Sequence, residues 1–187
     1  MARHCETNPS NAYAYFFFDG RDGQKGLQLV DSLIRSLIAQ FAAPYGAIPA
    51  TLAKLYQSCH DGKSQPSVQS LQSVLLTILE TFDDIYIVLD ALDECTERKD
   101  LLEWIERMTS LKRSKLHLLV TSRPEEDIVK HLRSLDPDHV DIKQDLVAHD
   151  IKMYIDCILD RKDYSEKWGD KTKTIIKNTL QKNAGGM

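Results

Sequence analysis

The chain has 187 residues, 42% of them hydrophobic and 28% charged, with a net charge of −4. Those proportions suit a globular chain with a real core, give no basic footprint for nucleic acid or an acidic membrane, and leave no apolar run near the ~18 residues of a membrane span. The opening MARHCETNPSNAY lacks the apolar stretch of a secretory signal. The four cysteines, Cys5, Cys59, Cys95 and Cys157, include no CxxC pair, so reduced thiols, no zinc site and an intracellular, cytoplasmic location are expected.

Residues 13–19, YAYFFFD, are dense in strand-favouring aromatics and end in the turn cluster Asp19-Gly20-Arg21-Asp22-Gly23. Leu29, Val30, Leu33, Ile34, Leu37, Ile38 and Phe41 then form a broad helical stripe. Pro44, Gly46 and Pro49 break it, and a short helix is expected over 51–58. After the polar loop HDGKSQPS, a second stripe runs through Leu71, Val74, Leu75, Ile78, Leu79 and Phe82, with Ser67 or Ser70 as its cap. Asp83-Asp84 leads into the strand IYIVLD at 85–90. A helix over 99–111, the strand LHLLV at 116–120, a helix over 125–135, an extended piece over 139–143 and helices over 148–160 and 165–182 follow. Strands separated by helices imply an α/β fold with parallel pairing through right-handed crossovers. Strands without polar alternation imply a sheet covered on both faces.

Chemistry concentrates where two of these strands end. IYIVLDALDE places Asp90 at a strand tip, with Asp93 and Glu94 just beyond, and LHLLV ends in Thr121-Ser122-Arg123-Pro124. Open α/β sheets build nucleotide sites at the carboxyl ends of their strands. A Mg²⁺–triphosphate complex needs a carboxylate placed like Asp90, and hydrolysis needs a base or water-orienting acid placed like Glu94 or Asp93. An arginine placed like Arg123 stabilises charge on the γ-phosphate. The plainer reading is that Asp93 or Thr96 caps the next helix. No GxxxxGK[ST] occurs in the sequence. Arg21 and Asp22 read as a charged turn or as groups near a phosphate, whereas Lys25 lacks the strand and spacing of a phosphate loop. Asp150 reads as first-turn helix charge, Trp104 and Trp168 as packing residues, and 161–173 as a solvated helix face.

VLDALDEC resembles a Walker B motif of the NACHT kind, and LLVTSRP resembles the sensor 1 strand of STAND-class signalling NTPases. YFFFDGRD is similar to the second strand of fungal NACHT proteins, whose N-terminal segment is grouped with the nephrocystin-like domain. The resemblance covers 13–187. It implies a P-loop NTPase acting as a nucleotide-dependent switch, with a nucleotide-binding α/β part over 1–145 and the start of a helical part over 146–187. It further implies Asp90 as the Mg²⁺ aspartate, Glu94 and Asp93 as the water-activating acids, and Arg123, assisted by Thr121 or Ser122, as the γ-phosphate sensor. The implied cofactors are Mg²⁺ with ATP or GTP. Implied partners are proteins, including further copies or full-length relatives, and the parent protein would carry C-terminal repeats.

The family's phosphate loop and first strand have no counterpart here, since residues 2–11 look like the tail of the helix that follows that loop. The chain is therefore expected to start inside the domain and stop before its end. In the family's sheet order, 5-1-4-3-2, the first strand lies between the strands near Val140 and Leu116. Its loss exposes strand edges that capture another chain. Without a phosphate-loop lysine and backbone cradle the chain is expected neither to bind ATP or GTP tightly nor to hydrolyse it. Two rivals stand beside this reading. One is a non-catalytic interaction module, indifferent to Asp90→Ala. The other is a Mg²⁺-dependent hydrolase built on Asp19, Asp90 and Asp93.

Overall fold

The computed structural model describes residues 8, 10–21, 23, 26, 29–43, 48–110, 116–135, 137, 138, 140, 144–161 and 167–184. They fall into two compact units, Met1–Pro137 and Asp138–Met187.

Three extended runs make the sheet of the first unit: β1 (Asn11–Phe17), β2 (Asp84–Asp90) and β3 (Leu116–Val120). They are parallel and lie in the order β1-β2-β3, so β2 is central. Asn11 pairs with Asp84 and Phe17 with Asp90; Ile85 pairs with Leu116 and Leu89 with Val120. This register sets Ala12, Ala14, Phe16, Ile85, Ile87, Leu89, Leu116, Leu118 and Val120 on one face, because side chains alternate along a strand.

That face carries the core. The helices α1 (Val30–Ala42), α3 (Val68–Leu79) and α4 (Arg98–Thr109) supply its other half, while α2 (Ala50–Ser58) buries no residue. The expected stripe of α1 is buried from Val30 to Phe41, whereas Leu29 stays outside the helix and exposed. Each fully buried Leu, Ile or Phe contributes about 1.5–3 kcal/mol relative to exposure. Ser67 caps α3 by accepting a bond from the Ser70 N–H at 3.1 Å, and the two hydroxyls lie 2.9 Å apart. Both serines named as alternatives therefore take part.

The opposite face, with Tyr13, Tyr15, Phe17, Tyr86, Val88, His117 and Leu119, is exposed or half-buried. The expected cover on both faces is not found among the described residues. The reason is topological. Both crossovers step the same way across the sheet, and right-handed crossovers that do so leave their helices on one face. Tyr86 and His117 stack on the open face, their ring centres 4.5 Å apart.

The outer edge of β1 is met at its middle by a side chain. Gln40, on α1, accepts from the Tyr15 N–H at 3.1 Å and donates to the Tyr15 carbonyl at 2.7 Å. A side-chain amide thus stands where a further strand would pair.

A short helix α5 (Glu126–Arg133) follows β3 and buries Ile128. Arg98, at the start of α4, reaches Asp127 at 3.4 Å and Glu125 at 3.7 Å. In the second unit α6 (Gln144–Leu159) packs with α7 (Asp170–Ala184), burying Ile155 and Leu159, and Lys177 pairs with Asp156. Because α6 starts at Gln144, Asp150 lies beyond the first turn expected for it. The extended piece expected over 139–143 lies outside the described residues except for Val140, which is exposed and in no strand. Among the described residues no helix is long and apolar enough to cross a membrane.

Candidate functional site

All three strands end on the same side, and their first residues beyond the ladder are tied to one another. At the tip of β2 the chain turns through Ala91, whose φ of 57° is left-handed and costly for a residue with a Cβ. A 3₁₀ turn, Leu92–Glu94, follows. Leu92 anchors it: the side chain is fully buried and its N–H donates to the Thr121 carbonyl at 3.0 Å.

The turn and the loop after β3 share four further bonds. The Thr121 hydroxyl donates to Asp90 Oδ1 and accepts from the Ala91 N–H at 3.1 Å. Asp93 Oδ1 accepts from the Arg123 N–H at 3.0 Å and from the Ser122 hydroxyl at 3.3 Å. Asp93 Oδ2 also lies 3.6 Å from Arg123 Nε; the Asp93 side chain is 9% exposed and that of Arg123 60%. A nearly buried carboxylate requires such partners, since unpaired burial costs several kcal/mol. Asp93 is thus a brace between two loops. It does not cap α4, whose first cap position is Glu97, without a side-chain capping bond.

Glu94 reaches the third strand end. Its Oε2 accepts from the Gly20 N–H, just beyond β1. A Cβ at position 20 would sit 3.2 Å from that oxygen, so glycine permits the approach. Beside it Arg21 wraps back on Asp19, its Nε 2.9 and 3.0 Å from the two carboxylate oxygens. These hydrogen bonds hold the Asp19 carboxyl down to about 2 and raise Arg21 above its usual range.

Asp90, Asp93, Glu94, Thr121, Ser122 and Arg123 therefore sit in one network. Asp22 and Lys25 lie outside the described residues, and Asp150 belongs to the second unit. Two participants are not among the residues singled out from the sequence. Gly20 is bonded to Glu94 across 74 residues, and Glu97 accepts from the Val30 N–H at 2.8 Å across 67 residues, satisfying the first turn of α1. The Asp-Gly step after β1 was the available hint for the first. Cys95, behind the turn, has its thiol pushed up to about 11 by burial, so it is a packing group rather than a nucleophile.

Among the described residues no three of His, Cys, Asp and Glu gather to hold a metal ion. Mg²⁺ carried with a nucleotide asks for less, namely one or two carboxylates with phosphate oxygens and water. Asp90 meets that lesser requirement, half-exposed at a strand tip with one oxygen steadied by Thr121.

A family model described as Nephrocystin 3, N-terminal, matches residues 1–123. The matched span takes in all three strands and ends on Arg123. No curated protein and no solved structure matches the chain.

Proposed function

The chain belongs to the nephrocystin 3 N-terminal family, and from that premise we propose that it carries the acid-bearing half of a nucleotide-dependent switch of the NACHT/STAND class, of the fungal type. Asp90 is the carboxylate that would hold Mg²⁺ brought in with ATP or GTP. The ion would neutralise phosphate charge there. Arg123, Ser122 and Thr121 are the groups that would meet the γ-phosphate, and Glu94 and Asp93 the acids that would order an attacking water.

The observation that carries this reading is that the donors suited to a phosphate are already held by carboxylates. Arg123 and Ser122 are occupied by Asp93, and the Gly20 N–H by Glu94. An anion arriving at those donors competes with both acids and frees them together. The strand ends would then move as a unit, which is what a switch requires.

The sequence contains no GxxxxGK[ST], so the backbone cradle and lysine that hold β- and γ-phosphates are not among these residues. The chain by itself binds Mg–ATP only weakly and does not turn it over. At millimolar Mg–ATP the amide resonances of Gly20, Leu92 and Arg123 shift, and Asp90→Asn removes the shift. Micromolar affinity would overturn the division of labour. Shifts indifferent to Asp90→Asn, or no shifts, would leave the network a structural brace. The open face of the sheet favours a second reading, a binding module for protein partners whose affinity is unaffected by Asp90→Ala.

A further inference from the structure

Three described residues other than glycine have a left-handed φ, namely His60, Asp61 and Ala91. The first two lie exposed in the loop after α2 and belong to the types that enter that region most readily. Ala91 is a different case. It stands at the tip of the central strand with φ 57° and ψ 52°, carrying a Cβ and no polar atom to offset the cost. Something outside the residue must hold it there.

The bonds around it identify what does. The peptide linking Asp90 to Ala91 is held from both sides. Its carbonyl accepts from the Phe18 N–H at 3.1 Å, and its N–H donates to the Thr121 hydroxyl at 3.1 Å. One peptide plane thus joins the ends of all three strands. Rotating a rigid plane changes only ψ of the residue before it and φ of the residue after it. A half-turn of this plane takes Ala91 to a negative φ, the range that residues with a Cβ ordinarily adopt. That relief is opposed by the loss of both bonds. Left-handed strain and the net worth of a hydrogen bond are of similar size, so the two positions are closely balanced.

We propose that the Asp90–Ala91 peptide is a two-position element, and that Thr121 is the positioning residue that keeps it as described. Thr121 suits this role because its hydroxyl is steadied on its other side, donating to Asp90 Oδ1 while accepting from Ala91. When the hydroxyl is drawn away the plane turns, and the 3₁₀ turn after Ala91 is no longer aimed by the end of β3. Asp93 then leaves the Arg123 N–H and Glu94 leaves the Gly20 N–H in the same step. The inference deepens the nucleotide reading, from which it takes only the trigger, a metal ion or phosphate competing for Asp90 or Thr121. The element itself is read with no ligand present, so the two fail separately.

The test is residue-resolved amide exchange of the full chain without ligand, each rate taken relative to Ile87 inside β2. Ala91→Gly removes the penalty on the left-handed position, and exchange at Gly20 and Arg123 slows together about fivefold. Ala91→Val speeds the same two amides. Thr121→Val keeps the shape, deletes the hydroxyl and speeds both about fivefold, and Thr121→Ser restores the original rates. Unchanged or faster exchange in Ala91→Gly overturns the proposal, because the residue is then not strained. So do unchanged rates in Thr121→Val, and separate responses at Gly20 and Arg123, which would make the two acids independent. The full pattern in a chain that ignores Mg–ATP supports the element and overturns only the nucleotide reading.

Discussion

Phe16 and Phe17 are adjacent and chemically identical, yet Phe16 is 5% exposed and Phe17 53%. The same division runs through the sheet, with Ala12, Ala14, Ile85, Ile87 and Leu89 inside and Tyr13, Tyr15, Val88 and Leu119 outside or half-covered. Composition does not distinguish the two sets, and the outer one is the more aromatic. What separates them is the direction in which successive crossovers step. Burial here is a property of the connections, expressed through strand parity.

The largest expected effect tests that division directly. Phe16→Ala should cost about 3–5 kcal/mol in urea unfolding, the range for emptying an aromatic site in a core. Phe17→Ala should cost no more than about 1 kcal/mol, as at exposed positions. Equal losses would show that the outer face is covered and break the comparison. A smaller effect concerns what fastens the cover to the inner face. Glu97→Ala leaves the first turn of α1 without its acceptor and should lower stability by about 1 kcal/mol, with Glu97→Gln recovering most of it in thermal melts. If Glu97→Ala is silent, α1 is held by packing alone.

The smallest effect lies just beyond β1, at the Asp19–Arg21 pair. The Asp19 carboxyl, at about 2, lies below its ordinary 3.8 because Arg21 hydrogen-bonds to it. A lowered folded-state value means that the pair's contribution is present in full above about pH 4 and disappears as the pH falls through about 2. A carboxyl titration followed by NMR should place the Asp19 midpoint near 2, and Arg21→Gln should return it toward 3.8. A midpoint unmoved by that substitution would assign the shift to another donor.

Whatever rests on local periodicity was legible in the chain. The buried stripes of α1 and α3, a serine cap at Ser67 or Ser70, LHLLV and the parallel pairing of the strands follow from spacing and residue type; the fourth extended piece, over 139–143, falls outside the described residues except for Val140, which is in no strand. The faces were not legible, because YAYFFF places apolar or aromatic side chains at odd and even positions alike, so parity gives no contrast. Strand β1 also begins at Asn11, two residues earlier than its aromatics suggest, because Asn11 and Ala12 are carried into the ladder by pairing with Asp84 and Ile85. At the candidate site the residues were legible as acids and an arginine after strands. Their present engagements were not. Glu94 with Gly20, Glu97 with Val30 and Gln40 with Tyr15 are side-chain to main-chain bonds between distant segments, and such bonds leave no local pattern.

The Gln40–Tyr15 pair has a consequence for how far this sheet can grow. A sheet with two open edges adds strands at either side, and each addition exposes another edge, so assembly has no natural end. Here Gln40 occupies both outward main-chain groups of Tyr15, midway along one edge. A strand arriving on that side must displace the amide before it can pair there. Replacing Gln40 removes that obstacle, so the residue acts on how readily the sheet extends at β1.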